Sequence, residues 1–165
     1  MKKIYVAGGC FWGVQHYFSL VKGIVNSEVG YVNGTKGNIT YEEVCSQKYA
    51  AIEAVALEYD ERVITLPKIL ELLFRIIDPT SLDKQGGDVG HSYRVGAYYT
   101  NEEDKKIIED FVFAQEKNYT QEIVFEIKPL TSFVEAEEYH QHYLEKIPQG
   151  YCHVNMNVLK KDELK

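Results

Sequence analysis

A cysteine set among glycines and aromatic residues, Gly8-Gly9-Cys10-Phe11-Trp12-Gly13, stands where the apolar run Ile4 to Ala7 gives way to the helix-like run Val14 to Val21. A thiol that opens a helix faces unpaired backbone N–H groups and the positive end of the helix dipole, which favour the thiolate and lower its pKa. Cys10 is therefore a candidate nucleophile, with Phe11 and Trp12 offering two aromatic faces beside the sulfur. The plainer alternative is a small buried hydrophobe, the common fate of a free cysteine. Glu53 is the second signal, because a carboxylate flanked by Ile52, Ala54 and Val55 on an apolar run is desolvated, and desolvation raises its pKa. A carboxylic acid kept neutral near pH 7 can donate a proton. A structural ion pair with one of the 18 Lys and Arg residues is the competing account.

Tyr41 follows a turn and Tyr93 ends a Gly-Gly-Asp-Val-Gly loop, positions from which a phenol could point into a cleft beside Asp88. Tyrosines at element ends also occur as plain surface packing. Cys152 lies in an irregular tail, where a mobile thiol could reach another sulfur, whereas Cys45 reads as packing on a short helix. His140, His142, Cys152 and His153 lack the paired spacing of a zinc site, so no metal is expected.

The elements that must hold these residues follow from periodicity and punctuation. Gly23 to Tyr31 alternates as a strand, Gly34 to Asn38 is a turn, and Thr40 caps a short helix over Tyr41 to Cys45. Ala50 to Tyr59 is apolar on both faces through Leu57, as expected of an interior strand. Leu66 to Ile77 has helical periodicity, Ser81 to Ser92 reads as a long surface loop, and Tyr93 to Thr100 as a strand. Asn101 caps a helix over Glu102 to Tyr119, and Ile123 to Leu130 is a further strand. Strands and helices mixed without regular alternation predict an α+β two-layer domain. One domain over residues 1–165 is expected, with 147–165 as a wrapping C-terminal tail of coil.

The formal net charge of −7 argues against nucleic acid or an anionic membrane as partner, since both need clustered positive charge. No stretch approaches the length of a membrane span, and 3 cysteines are too few and too odd a number for a secreted disulfide framework. A cytoplasmic location is expected.

Several separated motifs together carry a family resemblance. Gly9-Cys10-Phe11-Trp12-Gly13, Thr40-Tyr41-Glu42-Glu43-Val44-Cys45, Glu53-Ala54-Val55, Gln85-Gly86-Gly87-Asp88-Val89-Gly90 with Tyr93-Arg94, Glu138-Tyr139-His140-Gln141 with Tyr143-Leu144, and Gly150-Tyr151-Cys152 appear in that order. In this the chain resembles the peptide methionine sulfoxide reductase A family, which acts on the S epimer of the sulfoxide. The resemblance implies a ferredoxin-like α+β core, a mixed sheet with helices, and a long irregular C-terminal tail. It implies Cys10 as nucleophile, Phe11 and Trp12 as the wall around the substrate methyl group, and Glu53, Tyr41 and Tyr93 as the groups that hold and protonate the sulfoxide oxygen. Asp88 matches a supporting polar residue. Cys152 matches the resolving cysteine, with thioredoxin or dithiothreitol as external reductant, no cofactor, and a monomer acting on peptides or proteins that bear methionine-S-sulfoxide. Two stretches depart from the family pattern: Gln15 stands where a glutamate is frequent, and Ala50-Ala51-Ile52 precedes Glu53 where Gly-His-Ala is common.

The chemistry of the residues agrees, because sulfoxide reduction needs a soft nucleophile at sulfur and a proton for the departing oxygen. A thiol peroxidase would use a similar cysteine pair, and a tyrosine-rich binding domain would need no reactive thiol at all.

Overall fold

In the computed structural model, which describes residues 1–33, 40–42, 51–85, 88–150 and 154–165, a mixed sheet is covered by helices in an α+β arrangement. The elements in chain order are β1 (Lys2–Gly8), α1 (Phe11–Ser19), β2 (Ile24–Val32), β3 (Ile52–Tyr59), α2 (Leu66–Phe74), the short pair β4 (Lys84–Gln85) and β5 (Asp88–Val89), β6 (Val95–Tyr99), α3 (Glu102–Gln115), β7 (Glu126–Pro129), β8 (Phe133–Glu135) and α4 (Tyr143–Lys146). Six strands make one sheet in the order β7-β6-β1-β3-β2-β8, while β4 and β5 pair only with each other. Neighbours in the large sheet run antiparallel except β6 and β7, which are parallel.

Alternation along β1 and β3 assigns the two faces. Ile4 and Val6 of β1 and Val55, Leu57 and Tyr59 of β3 join the main core with Val14, Tyr17 and Phe18 of α1 and Leu70, Leu72 and Leu73 of α2. Ala7, Ile52 and Ala54 face the opposite way and cluster with Val32 and Tyr98. Side chains two apart on a strand share a face, so Glu53 lies on the helix side with Val55 and Leu57. The register Val6↔Val55 sets the end of β1 beside the start of β3. That pairing brings the segment after Gly8 to Glu53.

Several boundaries differ from the sequence reading. Helix α1 opens at Cys10 as expected, because Gly9 at φ 88° turns the chain sharply and lets Cys10 occupy the N-cap, but it ends at Ser19, short of Val21. Helix α2 ends at Phe74, short of Ile77. The stretch read as a surface loop contains the β4–β5 pair, with Gln85 and Ser92 buried. Gln85 is held because its amide accepts from Asp78 N–H and donates to Asp78 C=O, both at 2.9 Å. Tyr93 lies in a 3-10 turn before β6, and the strand expected over Ile123 to Leu130 is confined to β7. Asn101 caps α3 as expected, accepting from Asp104 N–H at 2.8 Å. The expected turn at Gly34 to Asn38 and the helix through Cys45 fall outside the described residues, Thr40 to Glu42 excepted.

At the other end of the chain, Lys165 N–H donates to Leu20 C=O at 3.0 Å and Glu163 is buried against α2. No helix among the described residues is long and apolar enough to cross a membrane.

Candidate active site

Cys10 caps α1 and is 7% exposed. Its thiol meets two opposing influences. Backbone N–H groups of Trp12 and Gly13 pull its pKa down, as the helix terminus predicts, but burial and then the nearby Glu53 and Asp88 carboxylates push it up and prevail. The expected depressed pKa is thus overturned: the thiol sits above its ordinary range in the free protein. The sequence reading counted the helix end and omitted the desolvation and the acid facing it.

Glu53 is 1% exposed. Phe11 N–H, one of the free amides at the start of α1, donates to Glu53 Oε1 at 3.1 Å. The other oxygen, Oε2, is buried and has no hydrogen-bond partner among the described residues. Burial raises the Glu53 pKa to about 8, with the Phe11 amide opposing and Asp88 adding to the rise. The carboxyl therefore carries its proton at neutral pH. Among the described residues no cation meets Glu53, which favours the proton-donor account of this residue over the ion pair.

Tyr93 belongs to the same cluster. Its phenol is pushed up first by burial and then by Glu53, Tyr41, Asp88 and Cys10, so all five groups share one electrostatic neighbourhood. The 3-10 turn that carries Tyr93 packs against β3. Asp88 starts β5 and is half-buried. Tyr41 is half-buried, and its ring lies 4.4 Å from that of His140. Cys152, Cys45 and His153 lie outside the described residues.

The aromatic wall is larger than Phe11 and Trp12. Tyr143 stacks on Trp12 with ring centroids 3.9 Å apart and planes at 15°. Trp12 Nε1–H donates to His140 Nδ1 at 2.9 Å, which fixes the indole plane and leaves the proton of a neutral imidazole on Nε2. His140 is 1% exposed, and burial lowers its pKa. Phe11 rests against Tyr31, with centroids 5.7 Å apart.

Two glutamines and an acid tie this wall down, and the sequence reading gave none of them a role. Gln15 donates to Ser27 C=O at 3.1 Å and accepts from His142 N–H at 2.7 Å. An amide, which offers N–H donors and a carbonyl acceptor on one group, matches that pair of partners, which accounts for glutamine at this position. Gln141 accepts from Val29 N–H at 3.0 Å and donates to Val29 C=O and Ala136 C=O at 2.9 and 3.1 Å. Glu137 accepts from Tyr41 N–H and from the phenols of Tyr31 and Tyr139. The motif Glu138 to Gln141 marked this run in the sequence, but nothing there pointed to the partners of Glu137 and Gln141.

Among the described residues no group of three His, Cys, Asp or Glu side chains is arranged to hold a metal ion. The arrangement suits proton-coupled chemistry at a soft atom: one thiol, one neutral acid, phenols, and apolar rings on the remaining side.

The family model for peptide methionine sulfoxide reductase matches residues 2–165. A peptide methionine sulfoxide reductase MsrA of Clostridium botulinum is 50% identical over 157 residues, covering 95% of this chain and all of that protein. The reduced form of Mxr1 from Saccharomyces cerevisiae superposes with a TM-score of 0.89 at 35% identity, over 93% of this chain and 91% of that one. A structure of Mxr1 in complex with Trx2 is similar at a TM-score of 0.63 and 28% identity, over 86% of this chain and 84% of that one.

Proposed function

Because the chain belongs to the peptide methionine sulfoxide reductase family and is an oxidoreductase of that kind, we propose that Cys10 reduces methionine-S-sulfoxide by direct attack on the sulfoxide sulfur. The observation that carries this reading is Glu53: a buried acid, protonated up to about pH 8 and fixed by the amide of the residue next to Cys10. As the Cys10 sulfur attacks, Glu53 gives its proton to the sulfoxide oxygen and the thiol proton returns to the Glu53 carboxylate. The S–O bond of the substrate breaks and its oxygen leaves as water, so that Cys10 is bonded to the substrate sulfur; a second water then attacks the Cys10 sulfur, breaking that S–S bond, so that methionine leaves and Cys10 is left as a sulfenic acid. The resting thiol is protonated, so attack is coupled to this proton exchange and does not draw on a standing thiolate.

Tyr41 and Tyr93 hold the oxygen, Asp88 supports them, and Phe11 and Trp12 enclose the methyl group, to which aromatic faces and a polarisable sulfur are well suited. The Cys152 thiol then condenses with the sulfenic acid, releasing water and forming a disulfide, and a dithiol reductant such as thioredoxin restores both thiols. The similarity to a protein crystallised with Trx2 supports that last step. No prosthetic group enters the cycle. The strands in the order β6-β1-β3-β2 with α1 and α2 constitute the ferredoxin-like part of one domain, residues 147–165 are its tail, and a reducing cytoplasm suits the thiol cycle.

The test is incubation with a racemic methionine sulfoxide peptide and dithiothreitol, followed by chiral analysis. Only the S-sulfoxide is consumed on this reading, and equal loss of both epimers overturns it. With thioredoxin as reductant, Cys152→Ser releases about one methionine per enzyme and stops, whereas Cys45→Ser turns over normally. Sustained turnover by Cys152→Ser would remove Cys152 from the cycle.

A further inference from the structure

The segment from Asp83 to Arg94 carries both Asp88 and Tyr93, and charged groups outside the site close its ends upon each other. Asp83, at φ 58°, begins it in a left-handed conformation that aspartate tolerates. Gly90, at φ 140°, donates its N–H back to Asp83 C=O at 2.7 Å, and Tyr93 N–H donates to Gly90 C=O at 3.0 Å. At the far end, Arg94 Nε donates to Asp83 Oδ1, so its guanidinium grips the carboxylate at the segment's start. A second arm, Nη1, donates to Glu126 Oε2 at 3.2 Å on β7. Glu126 is itself set by the buried Tyr98 hydroxyl, which donates to Oε1 at 2.9 Å, and by Lys128 at 3.2 Å.

One planar cation thus joins three places: the start of the segment, its end, and the sheet. A guanidinium suits this because its donors diverge in a rigid fork. We infer that Arg94 is a positioning residue for the sulfoxide reduction, bracing the Asp83–Arg94 segment against β7 so that Tyr93 and Asp88 face Cys10 and Glu53. The inference rests on the reductase reading and adds to it a residue that touches none of the reacting atoms.

Removing the brace leaves the fold with its partners. Without Arg94, Glu126 keeps Tyr98 and Lys128, and the Asp83 side chain is 38% exposed and open to hydration. Arg94→Met is therefore expected to fold and to loosen the segment. A displacement of about 1 Å at a reacting group costs on the order of 100-fold in rate, so single-turnover reduction of an S-sulfoxide peptide slows by about 10- to 100-fold. Arg94→Lys recovers part of this, since a single ammonium reaches one carboxylate at a time.

Native-state amide exchange supplies the readout of position. In Arg94→Met the Gly90 and Tyr93 amides exchange faster while those of β1 and β3 keep parent rates, and the rate penalty shrinks when Tyr93→Phe and Asp88→Asn are already in place. Reduction by Arg94→Met at the parent rate, an undiminished penalty in the Tyr93→Phe/Asp88→Asn background, or faster exchange throughout the sheet would each overturn the inference. A parent enzyme that leaves the S-sulfoxide untouched overturns the reductase reading instead, and the exchange data still decide whether the brace exists.

Discussion

Glu53 and Glu163 are both glutamates taken out of water, at 1% and 7% exposed, and they arrive at opposite protonation states. Glu163 lies beside α2, where Arg75 donates to its two oxygens at 2.7 and 2.9 Å and Lys68 sits at 2.6 Å. The Arg75 hydrogen bonds, ahead of Lys68 and the Lys160 amide, hold its carboxyl well below the usual carboxylate range despite burial. Glu53 has, among the described residues, one amide for a partner and Asp88 for an acidic neighbour, so burial wins and its pKa rises to about 8. What separates a clasp from a proton donor here is both the depth of the carboxyl, which dominates at Glu53, and its company, which dominates at Glu163.

The pH dependence of stability follows with opposite sign. Folded Glu53 keeps a proton between its ordinary value of 4.5 and about 8 that the unfolded chain has released, so its contribution is full below 4.5 and is lost as pH rises through that window. Glu163 stabilises above its ordinary 4.5 and loses that contribution as the pH falls toward its depressed folded value.

The largest effect expected from this contrast is on chemistry. Glu53→Gln keeps the shape and removes the transferable proton, so the single-turnover rate measured by rapid quench falls by roughly 10² to 10⁴. The same variant loses the decline of stability with rising pH, which urea titrations near pH 5 and near pH 8.5 reveal. Parent-like reduction by Glu53→Gln would move the acid role to Tyr41 or Tyr93.

A more moderate effect appears in the parent's own profile. The reduction step slows as pH rises through about 8, because the acid must hold its proton. A rate that stays level through that pH separates the raised pKa from the reaction and breaks the contrast.

The smallest effect concerns the clasp. Glu163→Gln leaves the single-turnover rate unchanged and lowers unfolding free energy by about 1–3 kcal/mol at neutral pH, with the deficit closing in acid. Urea midpoints across pH test it, and a deficit that grows in acid would show that Arg75 and Lys68 do not act through the Glu163 charge.

How far the sequence could be read depended on whether a signal was local. Cys10 at the mouth of α1, Glu53 on an interior strand and Asn101 as a helix cap each follow from a few consecutive residues, and the structure has them so. The thiol's raised pKa did not follow, because it comes first from burial by the assembled fold and then from Glu53, which stands 43 positions away and approaches only through β1–β3 pairing. Glu137 meets Tyr41 across 96 positions and Arg94 meets Glu126 across 32, pairings that no periodicity encodes. The segment Ser81 to Ser92 looked like surface because it is polar. Gln85 is nonetheless buried, since its amide replaces water at the backbone of Asp78.

The outermost strands of the described sheet bear on how such an enzyme survives its own substrates. Oxidised chains are often partly unfolded, and an extended chain adds readily to a long bare sheet edge. Here β7 is four residues long, ends in Pro129 with no N–H to offer, and carries exposed Lys128, while β8 is three residues long and ends in exposed Glu135. Neither border offers a run of free amides and carbonyls long enough to template a stray strand. Under the proposed function, damaged chains would then be gripped by the oxidised side chain and not by backbone pairing, which favours release after repair over co-aggregation.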